Sequence, residues 1–170
     1  MKNNWNRIVI CILLLIAQAA IDNFINLSIY VDIALFLFVL VMLPYRTSTV
    51  TAMVTAFLLG LCVDFLGNTI LGMTSAALVM AALARKGIIS LTISPDILEK
   101  HNYPSLGSLG IRRFVSYVLP LVLIYNLGFI LADCSGFAPF WHNLLRLGIS
   151  VTVNLGIILF LFIICSDRRR

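Results

Sequence analysis

Long apolar runs, each closed by a charged residue, a proline or a turn, divide the chain into six segments. Their lengths suit helices of about 20 residues crossing about 30 Å of hydrocarbon. Strands of a membrane barrel would need shorter segments of alternating polarity. Because lipid cannot satisfy open backbone groups, each run is predicted to be a helix. The predicted spans are 8–21, 27–43, 50–66, 70–84, 114–131 and 147–165.

Composition supports a membrane location. Of the 170 residues, 61% are hydrophobic and only 11% are charged, whereas soluble domains are about half apolar and a quarter charged. We therefore expect an all-α integral membrane protein with one six-span domain over residues 1–170. The longest polar stretch, at about 87–113, is predicted to be an interfacial loop. Ser94-Pro95-Asp96 resembles a helix start within it, because proline suits the first helical position.

The distribution of basic residues predicts the orientation. If the N-terminus is cytoplasmic, eleven of the 12 Lys and Arg residues fall on the inner side, and only Arg146 lies near the outer ends. This asymmetry follows the positive-inside rule and places both termini in the cytoplasm. The first span also resembles a secretory signal, with Lys2 and Arg7 before an apolar run and Ala17-Gln18-Ala19 after it. Its removal would leave the orientation of the other five spans unchanged.

Sequence motifs for catalysis are missing from the chain. It has no His-Glu-x-x-His, no Gly-x-Ser-x-Gly and no pair of acids at helical spacing in facing spans. Its two histidines lie in predicted loops, and its four cysteines have no metal-ligand spacing. We expect no enzymatic activity, no cofactor, no metal site and no nucleic-acid partner.

Two acids fall inside predicted spans. Asp32 lies about five residues into the second span, and Asp64 lies near the end of the third. An acid in lipid costs a few kcal/mol unless it reaches water or a partner. Each can reach interfacial water, or the two can flank a shared outer cavity for a partner or ligand. The candidate cavity residues are Asp32, Gly60, Asp64, Gly67 and Gly72.

Small residues mark the expected helix contacts. Gly67-Asn68 predicts a tight reversal with positive φ, which would make the third and fourth spans a hairpin. Small residues at four-residue spacing let helices approach closely, within one chain or between chains. They are Ala76, Ala77 and Ala81 with Gly72 in the fourth span, and Gly148, Thr152 and Gly156 in the sixth. We expect them to pack internally.

A basic group is predicted on the inner surface, where it would face anionic lipid: Arg85, Lys86, Arg112 and Arg113. The loop between these residues is either an interfacial connector or a docking surface for a cytoplasmic partner.

The segment Gly60-Leu61-x-x-Asp64, followed by Leu71-Gly72 and an Ala-rich helix, resembles the MreD family of bacterial rod-shape-determining membrane proteins. The length, the short basic N-terminus and the span pattern are similar as well. Residue-level likeness is confined to 60–72.

The resemblance implies a non-catalytic scaffold of the cell-elongation complex in the bacterial inner membrane. It implies an MreC-like bitopic partner and, through that protein, the actin-like MreB and the peptidoglycan synthases. The family also resembles the six-helix substrate-binding membrane subunits of vitamin uptake transporters. Uptake of a small molecule is therefore the alternative function, with a pocket among Asp32, Asp64, Asn126 and Asn154.

Overall fold

The computed structural model describes residues 2–24, 32–67, 70–100, 102–104, 106–133 and 140–167. These residues form α-helices and their connections. The helices are α1 (Lys2–Phe24), α2 (Leu37–Val41), α3 (Thr49–Leu66), α4 (Met73–Thr92), α5 (Pro95–Lys100), α6 (Leu106–Ala132) and α7 (Phe140–Asp167).

Four of these helices are long and apolar enough to cross a membrane: α3, α4, residues Leu109–Ala132 of α6 and Trp141–Ile164 of α7. A shorter apolar stretch, Val9–Ile21, lies in α1. The chain is therefore an all-α, multi-pass membrane protein. The predicted count of six spanning helices is not reached within the described residues, because the apolar stretch of α1 covers only Val9–Ile21 and the second predicted span is not one continuous helix.

The second predicted span, 27–43, contains a non-helical segment at 32–34 and the five-residue helix α2. Residues 25–31 lie outside the described part of the chain. Hydrogen bonds between residues three positions apart lead from this segment into α2. They join Leu37 N to the Ala34 carbonyl (3.2 Å) and Phe38 N to the Leu35 carbonyl (3.1 Å).

Helix α2 lies in the core of the molecule. Leu37, Leu40 and Val41 are fully buried. Aromatic rings surround them: Phe38 meets Phe162 of α7 edge-on at 5.5 Å between ring centroids, and Phe36, just before α2, meets Tyr125 of α6 in the same way. These edge-to-face contacts add to the free energy of burial. The interrupted span is thus enclosed by other helices.

Helices α3 and α4 form the predicted hairpin. They approach so closely that a Cβ added to Gly60 would lie 2.4 Å from the Ser75 Cα. Helix α6 packs on the other side of α4, where a Cβ on Gly128 would lie 3.1 Å from the Ala77 Cα. Helix α4 therefore lies between α3 and α6.

The first turn of α6 is bent. Gly110 has φ 72° and ψ 156°, which are not helical values and separate residues 106–109 from the rest of α6. The break occurs at this glycine, although Pro120 also lies inside the helix. The short helix predicted to start at Pro95 is present as α5, and α4 extends to Thr92, eight residues beyond the predicted end at Ala84.

Candidate functional site

Asp64 is buried inside the helical hairpin, with 1% of its surface exposed. Its Oδ2 accepts a hydrogen bond from Gly72 N at 2.8 Å, and its Oδ1 accepts one from Thr74 N at 3.2 Å. The Ser75 hydroxyl donates to Oδ2 at 3.4 Å. The carboxylate of α3 therefore caps the first turn of α4, where unpaired N–H groups and the helix dipole favour a negative charge.

The glycines around Asp64 explain how this cap is built. Gly60 precedes Asp64 by one helical turn and removes the Cβ that would push Ser75 away. Gly72 has φ +96°, a conformation that L side chains rarely adopt, and it turns the chain into α4. Gly67 ends α3 with an ordinary φ of −84°. The positive φ predicted at Gly67-Asn68 is therefore found at Gly72, and Asn68 lies outside the described residues.

This geometry differs from both interpretations of Asp64 that the sequence left open. An acid that reached interfacial water would be exposed, and an acid of an open cavity would keep acceptor oxygens for a ligand. Both Asp64 oxygens instead accept hydrogen bonds from α4. These hydrogen bonds hold α3 and α4 together.

A second polar centre holds the non-helical part of the second span. Gln18 of α1 is 3% exposed and makes two hydrogen bonds to it. Its Nε2 donates to the Ile33 carbonyl at 2.8 Å, and its Oε1 accepts from Leu35 N at 2.9 Å. One amide side chain thus replaces two backbone hydrogen bonds that a regular helix would have made.

Helix α7 supplies the other partners of the same segment. Asn154 Oδ1 accepts from Ala34 N at 2.8 Å, and its Nδ2 donates to the Asp32 carbonyl oxygen at 2.8 Å. Ser150 Oγ accepts from Asp32 N at 3.1 Å. Non-helical backbone at membrane depth is tolerated where protein groups satisfy it. Gln18, Ser150 and Asn154 meet that requirement.

The side chain of Asp32 faces α6. Its Oδ2 lies 3.5 Å from the Tyr125 hydroxyl, which donates to it. Unlike Asp64, Asp32 is half-buried. Asp32 therefore differs from Asp64 in lying on non-helical backbone and in being only partly buried.

Arg85 differs from its prediction as an inner-surface residue, since it is buried with 2% of its surface exposed. Its Nε donates to the Tyr117 hydroxyl at 3.1 Å, and Nη2 donates to the carbonyls of Leu43 at 2.6 Å and Pro44 at 3.3 Å. Arg85 is buried because α4 continues past it, with Ile88 and Ile89 also in the core. The other three predicted basic residues, Lys86, Arg112 and Arg113, are exposed.

The small residues predicted to pack helices divide into two groups. In α4, Ala77 and Ala81 are fully buried, whereas Ala76 is exposed. In α7, Gly148, Thr152 and Gly156 are all exposed, and nothing lies within 4 Å of a Cβ added to either glycine. The expectation of internal packing is therefore wrong for α7. Its inward face instead carries Ser150, Asn154, Ile158 and Phe162.

Several residues of these centres were not singled out from the sequence: Gln18, Thr74, Ser75, Tyr117 and Tyr125. Polar residues inside apolar runs were the available signal, and Gln18 in particular was considered only within a signal-like motif. In the part of the chain that the structure describes, no three His, Cys, Asp or Glu side chains gather closely enough to hold a metal ion.

Comparisons of the chain with protein-family models, with curated proteins and with solved structures found no match.

Proposed function

We propose that the protein is a non-catalytic membrane scaffold of the bacterial cell-elongation complex and that its direct partner is an MreC-like bitopic protein. The observation that carries the proposal is the segment 60–72. It is the part of the sequence that resembles the MreD family, and its distinctive residues act together in one structural element.

Gly60 allows α3 and α4 to approach closely, Asp64 caps the first turn of α4, and Gly72 turns the chain into α4. None of the three needs a substrate to explain its presence. A motif that fixes the shape of a helical hairpin is what a scaffold requires, because a scaffold works by presenting fixed surfaces to its partners.

The exposed face of α7 is the surface that best suits a partner's membrane helix. Gly148, Thr152 and Gly156 follow one another at four-residue spacing, so they form a single shallow strip. The Thr152 hydroxyl donates to the Gly148 carbonyl at 2.8 Å, so it adds no unpaired polar group to that strip. Such strips allow close helix contact in lipid, where van der Waals packing drives association.

Co-purification tests this proposal. The tagged protein is extracted from its host with a mild detergent, and the bound bitopic protein is quantified. A double variant, Gly148→Leu and Gly156→Leu, fills the strip, and we expect it to lose most of the partner. Gly87→Leu is the matched control, since Gly87 is a helical glycine of α4 with nothing within 4 Å of an added Cβ. Equal recovery of the partner by the double variant and the control would contradict the proposed surface.

The second candidate function is substrate binding for a small-molecule uptake transporter. The interrupted second span favours it, because Asp32 lies on non-helical backbone beside Tyr125. Asp32→Asn distinguishes the two functions. If uptake is the function, the variant loses transport at unchanged protein level, whereas a scaffold with Asp32→Asn keeps its partner and supports normal cell shape.

A further inference from the structure

Arg85 is a buried positive charge without a negative partner among the described residues. Its guanidinium is charged at every physiological pH. Arg85 forms no salt bridge with a described residue. The salt bridge found in the described part of the chain joins Arg146 to Asp133 at 2.7 Å. Its hydrogen-bond acceptors are all neutral: one phenol and two backbone carbonyls. An ionisable residue enclosed by membrane helices pairs with another charge or with backbone carbonyls, and it is a candidate for a functional site.

The guanidinium also has donors to spare. Nε and Nη2 make all of the hydrogen bonds described above, and Nη1 donates to no described residue. The guanidinium is held firmly at two of its three nitrogens. The third is left for a partner, and a rigid guanidinium is well suited to bind the oxygens of a phosphate group.

Tyr45 provides a second observation at the same place. It follows Pro44, whose carbonyl is bonded to Arg85, and its own backbone N donates to the Asn102 carbonyl at 3.0 Å. Tyr45 is 9% exposed, and its hydroxyl is a buried polar atom with no hydrogen-bond partner in the described structure. A buried hydroxyl without a partner is costly and needs an explanation.

The phenol is a donor. Burial raises the pKa of Tyr45, the neighbouring Tyr117 raises it further, and the positive charge of Arg85 lowers it. The raised pKa keeps the hydroxyl protonated at neutral pH. Tyr45 therefore presents a buried O–H that requires an acceptor, and Arg85 presents an Nη1 group that donates to no described residue.

We propose that Arg85 and Tyr45 together bind a phosphate oxygen of an anionic phospholipid headgroup. One anionic oxygen can accept from Nη1 of Arg85 and from the Tyr45 hydroxyl, which would neutralise the charge and satisfy the orphan donor. The connection 42–48 contributes Tyr45 to this site, and its Arg46 is exposed, as is Lys86 next to Arg85. These two cations favour approach of an anion.

The site lies beside the last residues of the interrupted span. Arg85 is bonded to residues that directly follow the buried helix α2, at the end of the interrupted span. Anionic headgroups are concentrated at the ends of spanning helices and bind basic pockets between them. The inference concerns the isolated protein and holds whether or not the protein is a cell-elongation scaffold.

Lipid titration of the purified full-length chain tests the inference. The protein is held in dodecyl maltoside, which carries no phosphate, and dioleoylphosphatidylglycerol is added. Native mass spectrometry counts bound lipid, and thermal unfolding reports the stabilisation that binding produces. We expect one lipid to be retained per chain and the Tm to rise with saturation. Inorganic phosphate, added alone in a separate titration, is expected to give no comparable rise.

Tyr45→Phe is the decisive variant. It removes only the unpartnered hydroxyl, so without lipid the Tm should stay the same or rise, while lipid affinity should fall about tenfold through loss of a charge-assisted hydrogen bond. Arg85→Gln should weaken binding by more than tenfold. Arg112→Gln combined with Arg113→Gln is the control, because both arginines are exposed, and it should retain the bound lipid.

Three results would overturn the inference. One is a lipid affinity of Tyr45→Phe within twofold of the wild-type affinity. This result would overturn the inference even if Arg85→Gln does not fold. Another is an equal loss of lipid in the Arg112/Arg113 control, which would indicate general surface attraction. The third is saturation by inorganic phosphate at the same concentrations, which would assign the site to a free anion.

Discussion

The carboxylate of Asp64 on α3 accepts a hydrogen bond from the backbone N of Gly72, the N-cap residue of α4, at 2.8 Å. A side chain of α3 thus caps α4, and the same hydrogen bond joins the two ends of the connection between these helices. Gly72 cannot cap α4 with a side chain of its own, so the acceptor comes from the neighbouring helix. This relationship accounts for a buried carboxylate beside the turn of an apolar hairpin.

Removal of the Asp64 carboxylate is predicted to destabilise the hairpin. Asp64→Ala leaves the N–H groups of Gly72 and Thr74 without an acceptor, and we expect a loss of about 2–4 kcal/mol. Asp64→Asn keeps one acceptor oxygen and should lose about half as much. Thermal unfolding in detergent measures both. An Asp64→Ala protein as stable as the wild type would show that the cap contributes nothing.

The close approach at Gly60 predicts a second effect on stability. In Gly60→Ala the new Cβ would lie 2.4 Å from the Ser75 Cα, so the helices must separate. We expect a loss of about 2–3 kcal/mol from overpacking. Gly156→Ala is the matched control on α7, where an added Cβ meets nothing within 4 Å. That change should be neutral or stabilise by up to about 1 kcal/mol, because alanine favours helix.

The turn at Gly72 gives a third prediction. At φ +96° an alanine is strained although space is available, and Gly72→Ala should lose about 1–2 kcal/mol. Gly87→Ala, at a helical glycine with equal space and no positive φ, should instead be neutral or stabilising. If the two variants unfold at the same temperature, the backbone of residue 72 is not held in the left-handed region.

The interrupted span depends on Asn154. Asn154→Leu removes the partners of Ala34 N and the Asp32 carbonyl, both within the bundle, and we expect a loss of about 2–4 kcal/mol. Thr152→Val, on the exposed face of the same helix, should change stability by less than about 0.5 kcal/mol. Chemical unfolding in detergent compares the two. Similar midpoints for both variants would contradict the bonding of residues 32–35 described above.

The sequence predicted the third span and the short helix at Pro95 closely. The third span was expected at 50–66 and is found at Thr49–Leu66, because an uninterrupted apolar run between Ser48 and Gly67 leaves few alternatives. The short helix at Pro95 followed from its capping residue and proline. Local signals were sufficient in both places.

Long-range contacts explain what the sequence did not predict. The apolar run at 27–43 fits either a buried helix or a buried non-helical segment. The non-helical form depends on hydrogen bonds from Gln18 and Asn154, which lie on other helices. Likewise, the acceptors around Arg85 come from residues about 40 positions away. The polarity of Asp64 was recognised from the sequence, but its target could be identified only once α3 and α4 were packed together.

Cell shape on depletion tests the proposed scaffold most directly. The protein is depleted in its host, and cell width, cell length and vitamin uptake are measured over successive generations. We expect rod-shaped cells to become round while uptake is unchanged, and we expect re-expression of the wild-type chain to restore rods. Cells that keep their normal shape after the protein has disappeared would contradict the proposed scaffold function.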